Sequence, residues 1–198
     1  YVLGNHDEKR ITERFGQTAA RTAAMLLLTL RGTPTLYYGE EIAMTEAAIA
    51  PEDQQDPWGR NLPGAGRDGC RTPMQWDQSK HAGFSPAETG NTWLPVTDDY
   101  RQLNVAAQLA DPTSILNFYR DLLAYRKRST ALQTGAYSRV DAPAGVFAYK
   151  RGDSLLVALN LTDKQLDVAF PGTVALSTDG EGATGKALRP HEGVIIEL

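Results

Sequence analysis

The N-terminal part of the chain is constrained most strongly by a helical segment that lies between two short apolar runs. From Gln17 to Arg31 alanines and leucines recur at helical spacing, and Gly32 follows as a stop signal. Tyr1 to Leu3 precede this segment, Leu36 to Tyr38 follow it, and both runs end in glycine and polar residues. Because adjacent parallel strands need a crossover, this order predicts a βαβ unit with buried parallel strands.

The rest of the chain changes from helix to short strands. Residues 39–111 are rich in proline, glycine and aspartate, which predicts a long functional loop. A second helix is predicted from Asp111 to about Ser129, since capping side chains and an early proline stand at its start. A domain boundary is therefore expected near residue 130. Short alternating runs then predict a small antiparallel β-sandwich, with strands at residues 146–149, 155–161, 168–170 and 194–198.

Composition limits the class of protein. The 198 residues are 41% hydrophobic and 22% charged with a net charge of −4, which is typical of a globular protein without a nucleic-acid or membrane partner. The longest apolar stretch, Ala23 to Leu30, is shorter than the roughly 20 residues of a membrane-spanning helix. The lone Cys70 fits a reducing compartment, so we expect the cytoplasm. Neither zinc-spaced ligands nor a calcium loop is visible, so we expect no metal and no cofactor.

The tripeptide Asn5-His6-Asp7 stands where the first apolar run ends. In a parallel α/β barrel, the carboxyl end of a strand is where catalytic groups collect. An ionised Asp7 can stabilise developing positive charge, and His6 can donate a hydrogen bond to a sugar hydroxyl. The same residues also fit a capping aspartate beside a solvated histidine, so the tripeptide alone leaves both interpretations open.

Three longer blocks of the sequence extend this motif. They are Leu3-Gly4-Asn5-His6-Asp7 with Arg10 and Arg14-Phe15-Gly16, then Gly32-Thr33-Pro34-Thr35-Leu36-Tyr37-Tyr38-Gly39-Glu40-Glu41-Ile42, then Gly66-Arg67-Asp68-Gly69-Cys70-Arg71-Thr72-Pro73-Met74-Gln75-Trp76-Asp77. In this order the blocks closely resemble α-glucosidases of the α-amylase family (glycoside hydrolase family 13), of the oligo-1,6-glucosidase and maltase type. The resemblance continues through Thr92–Val96 and Phe118–Arg120, so it covers residues 1–130 densely and the remainder loosely.

The resemblance implies an α/β fold followed by an all-β part. Residues 1–129 would hold the last two βα units of a (β/α)8 TIM barrel, with the seventh strand at Tyr1–Asn5 and the eighth around Leu36–Tyr38. Residues 130–198 would form a small antiparallel C-terminal β-sandwich. The open edges of such a partial barrel are expected to pair with the missing N-terminal barrel portion or with another copy of residues 1–129.

The resemblance also implies roles for individual residues. Asp7 corresponds to the third acid of the site, which stabilises an oxocarbenium-like transition state, and His6 lies beside it in the same sugar subsite. Arg71 resembles an arginine that grips the non-reducing glucose, for which the fork of a guanidinium is well suited. Arg10 resembles a residue at the mouth of the site. An α-glucosidic oligosaccharide is the implied ligand.

Retaining glycosidases need a nucleophilic carboxylate and a general acid, which in this family precede the Asn-His-Asp block. Neither is present in this chain, so we expect the chain alone to be catalytically incomplete. Glu40 and Glu41 are expected to be structural acids at the end of the eighth strand.

Three functions remain open at this point. The first is part of a hydrolase or transglycosylase that acts through a covalent glucosyl-enzyme, and the second is a trehalose synthase-type glucosyl isomerase of the same family. The third is a non-catalytic sugar-binding or interaction module, which an exposed aromatic platform within residues 130–198 would favour.

The tryptophans of the long loop are expected to form its packing core: Trp58, Trp76 and Trp93.

Overall fold

The computed structural model describes residues 1–180 and 182–198. The described chain divides into two compact units. The first unit comprises Tyr1, Thr18–Pro34 and Phe118–Leu198, and the second comprises Val2–Gln17 and Thr35–Asn117. This division does not test the boundary predicted near residue 130, which stays a prediction for the longer protein.

The two longest helices confirm that both predicted helices exist, because both have a clear apolar period, but the second begins at Ile115 rather than at Asp111. The shorter ones escaped prediction because one or two turns carry too little periodicity. The described helices are α1 (Ile11–Phe15), α2 (Ala20–Thr29), α3 (Pro57–Asn61), α4 (Val105–Ala110), α5 (Ile115–Arg128) and α6 (Thr130–Thr134). The described strands are β1 (Tyr137–Val140), β2 (Val146–Arg151), β3 (Leu155–Asn160), β4 (Leu166–Asp167), β5 (Thr173–Ser177), β6 (Ala187–Leu188) and β7 (Gly193–Glu197). None of the described helices is long and apolar enough to cross a membrane.

The C-terminal strands are antiparallel, as predicted. Five of them form a sheet in the order β1-β2-β3-β7-β5, while β4 and β6 pair separately. The strand predicted at residues 168–170 lies slightly earlier, at β4, because pairing with β6 is limited to Leu166 and Asp167. One core joins the two sheets, since Leu188 of β6 packs with residues of the larger sheet: Ala148, Leu156, Ala158, Val194 and Ile196.

The second face of the five-stranded sheet is also covered. An antiparallel sheet with one wet face shows alternating burial, yet every residue of β3 is buried. The Tyr149 hydroxyl on this face forms a hydrogen bond with Thr29 of α2, and Gly193 of β7 lies close to the side chain of Met25 in α2. The C-terminal strands therefore share their packing with a helix from the N-terminal part of the sequence, which strand alternation alone did not predict.

We expect Gly193→Val to destabilise the protein by about 2–3 kcal/mol, since a β-branched side chain would overfill this packed contact. A Cβ at Gly193 would lie 2.7 Å from Leu159 Cδ2 and 2.9 Å from Met25 Sδ. The matched control is Gly90→Val, because a Cβ at Gly90 has no neighbour within 4 Å. Urea unfolding measures both, and equal stability of the two variants would contradict the packing of α2 on the sheet.

The second unit contains the parallel pairing that the sequence predicts, but only as an isolated bridge. Val2 and Thr35 form an isolated parallel bridge, whereas the predicted strands around Tyr1–Leu3 and Leu36–Tyr38 are not continuous ladders. A lone pair of short parallel strands has few hydrogen bonds to stabilise it. The complete barrel therefore stays a prediction for the longer protein.

Candidate active site

Asn5 shapes the loop that carries His6 and Asp7. Its Oδ1 accepts hydrogen bonds from the backbone N–H groups of Asp7, at 2.8 Å, and Glu8, at 3.1 Å. Such a local turn fixes the backbone without help from a strand. His6 Nε2 lies 3.3 Å from Asp7 Oδ2, and the two side chains are 70% and 49% exposed. The carboxylate is thus held in place while it stays open to a ligand.

Two arginines converge on Asp7. Its Oδ1 accepts a hydrogen bond from Arg67 Nη1 at 2.7 Å and another from Arg71 Nη2 at 3.2 Å. Arg71 also donates from Nε to the His6 carbonyl oxygen at 2.7 Å. The structure therefore brings together Asp7, His6 and Arg71, although Arg71 is 64 residues from Asp7 in sequence. Their roles toward a sugar stay predictions.

Arg67 and Asp56 belong to the same cluster but were not identified from the sequence. Arg67 donates from Nε to Asp56 Oδ2 at 2.8 Å and from Nη2 to Asp56 Oδ1 at 2.9 Å, and the Asp56 side chain is fully buried. The hydrogen bonds from Arg67 hold the pKa of Asp56 well below its usual range. The available signals were the Asp56-Pro57 helix start and the position of Arg67 within the third block.

The segment around Asp56 is rigidly arranged. Asp68 Oδ2 accepts hydrogen bonds from the backbone of Gln55, at 2.7 Å, and Asp56, at 2.9 Å. Asp56 itself caps α3 by accepting from the Trp58 backbone at 3.2 Å, and the Arg67 guanidinium lies 5.0 Å from the centre of the Trp58 ring. The buried carboxylate thus anchors one side of the Asp7 cluster.

The three tryptophans do not form a packing core of the loop, contrary to the prediction. Trp58, Trp76 and Trp93 are 64%, 49% and 75% exposed. Trp76 and Trp93 line a cleft of about 400 Å³ together with Phe84, Glu41 and Arg71, among others. Their rings lie beside this cleft, while the buried apolar cluster of this unit consists of Ile42, Met44 and Met74.

Arg10 lies apart from the Asp7 cluster and is buried, so the predicted position at the mouth of a site is wrong. It is 2% exposed and donates from Nη1 to the Tyr38 carbonyl oxygen at 2.8 Å. Its guanidinium lies over the rings of Tyr37 and Tyr38, at 5.6 and 4.9 Å from their centres. These stacking contacts keep the cation inside the fold, and we interpret Arg10 as a structural residue.

The same two tyrosines anchor the segment that carries Arg71. The Tyr37 hydroxyl donates to the Cys70 carbonyl oxygen at 3.1 Å, and the Tyr38 hydroxyl donates to the Thr72 carbonyl oxygen at 2.6 Å. Burial raises the pKa of both tyrosines, so both hydroxyls stay protonated and able to donate. The backbone on either side of Arg71 is therefore fixed to the end of the predicted eighth strand.

Glu40 lies inside the fold rather than in an open site. It is 3% exposed, and its Oε2 accepts a hydrogen bond from the Tyr37 backbone at 3.3 Å. Burial raises the pKa of Glu40 to about 7. This position agrees with the structural role expected for it.

Glu40→Gln is expected to remove a pH dependence of stability. Because the folded pKa of about 7 lies above the ordinary value of 4.5, the folded state retains the proton longer than the unfolded chain. Stability should therefore fall as the pH rises from about 4.5 to about 7, by about 2–3 kcal/mol. Urea unfolding is measured at pH 4.5 and at pH 8. The free energy of unfolding of Glu40→Gln relative to that of the wild type should rise by this amount between the two pH values, and Glu41→Gln is the control. A constant difference would contradict the protonated, buried carboxyl.

Among the described residues of the C-terminal part, the aromatic rings lie mostly in packed contacts, although Tyr137 is 40% exposed. Tyr149 is fully buried, and the rings of Tyr137 and Phe147 pack against it with centres 5.4 and 5.2 Å away. Phe170 packs against the core shared by the two sheets. Within residues 1–180 and 182–198, no group of three or more His, Cys, Asp or Glu side chains is arranged to hold a metal ion.

Known proteins are similar to this chain in sequence. The family model of the α-amylase catalytic domain matches residues 1–135. A salivary alpha-glucosidase of Anopheles gambiae is 40% identical over 224 residues, which cover 100% of this chain and 37% of that protein. An oligo-1,6-glucosidase of Halalkalibacterium halodurans is 36% identical over 87% of this chain and 36% of that protein.

A solved structure resembles the whole chain as well. The trehalulose synthase MutB of Pseudomonas mesoacidophila MX-45 matches with a TM-score of 0.86 and 30% identity, over 100% of this chain and 42% of MutB. An inactive double mutant of MutB has been solved in complex with isomaltulose. The chain thus spans 36–37% of the length of the two α-glucosidase relatives.

Proposed function

The chain belongs to the α-amylase family of glycoside hydrolases, and from this premise we propose that it supplies part of the active site of a retaining α-glucosidase. The proposed substrates are short oligosaccharides with α-glucosidic bonds, which the enzyme would hydrolyse or transfer. The observation that carries this proposal is that His6 and Arg71 both contact the exposed carboxylate of Asp7. The two relatives named as glucosidases support the choice of substrate class.

In this proposal, the residues of the chain bind and stabilise rather than break the bond. Asp7 would face the ring of the bound glucose, where its negative charge opposes the positive charge of the oxocarbenium-like transition state. Arg71 would contact sugar hydroxyls, since among the described residues its Nη1 has no hydrogen-bond partner. The nucleophile and the general acid, about 5–5.5 Å apart in retaining enzymes, would come from the upstream part of the longer protein.

The stereochemistry of the product tests this function. The complete enzyme that contains this chain is incubated with maltose, isomaltose and p-nitrophenyl α-glucoside, and the released glucose is followed by proton NMR. We expect the α-anomer to appear first, because two displacements retain configuration. Initial release of the β-anomer, or no release of glucose from any of these substrates, would overturn the proposal.

A glucosyl isomerase is the second candidate function, and the likeness to trehalulose synthase favours it. Hydrolysis is preferred because the two glucosidase relatives are 40% and 36% identical, against 30% for that synthase. Products separate the candidates. A hydrolase releases glucose from sucrose or maltose, whereas an isomerase converts most of the disaccharide into a rearranged one.

We also propose that the chain depends on a partner for activity. In the described part of the chain, Val2 and Thr35 pair through an isolated parallel bridge, and because unpaired strand edges seek partners, residues 1–129 would pair with the N-terminal barrel portion or self-associate. The chain alone would then be inactive on p-nitrophenyl α-glucoside. A cytoplasmic location, from the lone Cys70, stays part of this proposal.

A further inference from the structure

We propose that Arg67 is a positioning residue that fixes the Asp7 carboxylate by tying it to the buried carboxylate of Asp56. This inference rests on the proposed function, because it assigns the support of the same site.

The geometry of Arg67 makes it a rigid link between the two acids. Its Nε and Nη2 hold both oxygens of Asp56, at 2.8 and 2.9 Å. A guanidinium is planar, so fixing one edge also fixes the direction of the remaining nitrogen. That nitrogen, Nη1, donates to Asp7 Oδ1 at 2.7 Å.

The acid at the far end of the link cannot easily move. The Asp56 side chain is fully buried, and it also accepts hydrogen bonds from the backbone of Trp58 at 3.2 Å and of Arg67 at 2.9 Å. A buried carboxylate with several donors is costly to displace. The position of Arg67, and through it that of Asp7, is therefore set by the interior of the loop.

Arg71 touches the same oxygen of Asp7 but is placed differently. Its contact with Oδ1 is longer, at 3.2 Å, and its Nε binds the carbonyl oxygen of His6. With both arginines at Oδ1, Asp7 Oδ2 is the oxygen left toward a sugar, beside His6 Nε2 at 3.3 Å. Arg67 thus determines that Asp7 Oδ2 faces the sugar, while Arg71 can still contact the ligand through its Nη1.

A double-mutant cycle in the complete enzyme tests the inference. We expect Arg67→Gln to lower kcat about 10–100-fold with KM changed less than about threefold, because a misplaced group loses transition-state stabilisation. In an Asp7→Asn background, Arg67→Gln should lower kcat by less than about threefold further, since both changes act through the same carboxylate. If Arg67 had only a structural role, the losses in kcat from the two substitutions would multiply in the double mutant.

Arg60→Gln is the matched control. Arg60 lies in α3 and holds the same loop through the Gln54 carbonyl oxygen, at 2.6 Å, and Gln55 Oε1, at 3.1 Å. We expect its kcat to stay within about twofold of the wild type, as for most surface substitutions. Thermal unfolding shows whether the Arg67→Gln enzyme is folded. If it is not, Arg67→Lys is used in its place, because an ammonium keeps the charge but cannot bind both Asp56 and Asp7.

Three outcomes decide the question. Non-additive effects of Arg67 and Asp7, together with a normal Arg60→Gln, support the inference. The inference is overturned, while the proposed function stands, if the losses in kcat from the Arg67 and Asp7 substitutions multiply. It is also overturned if the Arg67 variant is as active as Arg60→Gln. A wild-type enzyme without activity on α-glucosides overturns the function and this inference together.

Discussion

Asp7→Asn in the complete enzyme is expected to lower kcat by about 10²–10³-fold, while KM changes by less than about threefold. The amide keeps the size of the side chain and part of its hydrogen bonding, but it removes the negative charge. Opposing charge stabilises the transition state far more than the neutral ground state, so the loss appears in kcat. Steady-state kinetics on p-nitrophenyl α-glucoside measure both constants.

The control for Asp7→Asn is Asp53→Asn, the same substitution at an exposed acid of the long loop. Its kinetics should match those of the wild type. An Asp7→Asn enzyme with unchanged kcat and a raised KM would show that Asp7 is a ground-state contact only.

Arg151→Ala is expected to destabilise the protein by about 3–5 kcal/mol. The Arg151 side chain is fully buried and donates to the carbonyl oxygens of Thr29, Leu132 and Gly135. These carbonyls lie at or near the ends of α2 and α6, where the helix dipole favours a cation. The substitution would leave a cavity and several unsatisfied carbonyls.

Two further variants separate the causes of this loss. Arg151→Met keeps most of the volume, so it should recover part of the stability but not the hydrogen bonds. Arg139→Ala, at an exposed position of β1 in the same sheet, should change the free energy of unfolding by less than about 0.5 kcal/mol. Urea unfolding measures the free energy of unfolding of each variant. If Arg151→Ala is as stable as Arg139→Ala, this cation does not anchor α2 and α6.

Local patterns predicted the parts of the fold whose cause is local. The Ala/Leu period predicted α2, and the alternating runs predicted the antiparallel strands. The complete burial of β3 was not predictable in this way, because α2 precedes β3 by more than a hundred residues in the sequence. Non-local packing of this kind leaves no periodic mark on the strand itself.

The candidate site follows the same division. Asp7, His6 and Arg71 were predicted as site residues because they stand in recognisable blocks, and the structure places them in contact. The pairing of Arg67 with Asp56 joins residues 11 apart in an irregular loop, where no spacing rule applies. Arg10 was misplaced because its burial depends on two rings that lie 27 and 28 residues further along the chain.

The charge of Asp7 at the transition state is tested most directly by inhibitor binding to the wild-type and Asp7→Asn enzymes. A cationic iminosugar imitates the charge of the transition state, whereas glucose has the same hydroxyls without the charge. Calorimetric titration should show that Asp7→Asn weakens the iminosugar at least about tenfold more than it weakens glucose. Equal losses for the two ligands would contradict the proposed role of Asp7 as the transition-state stabiliser.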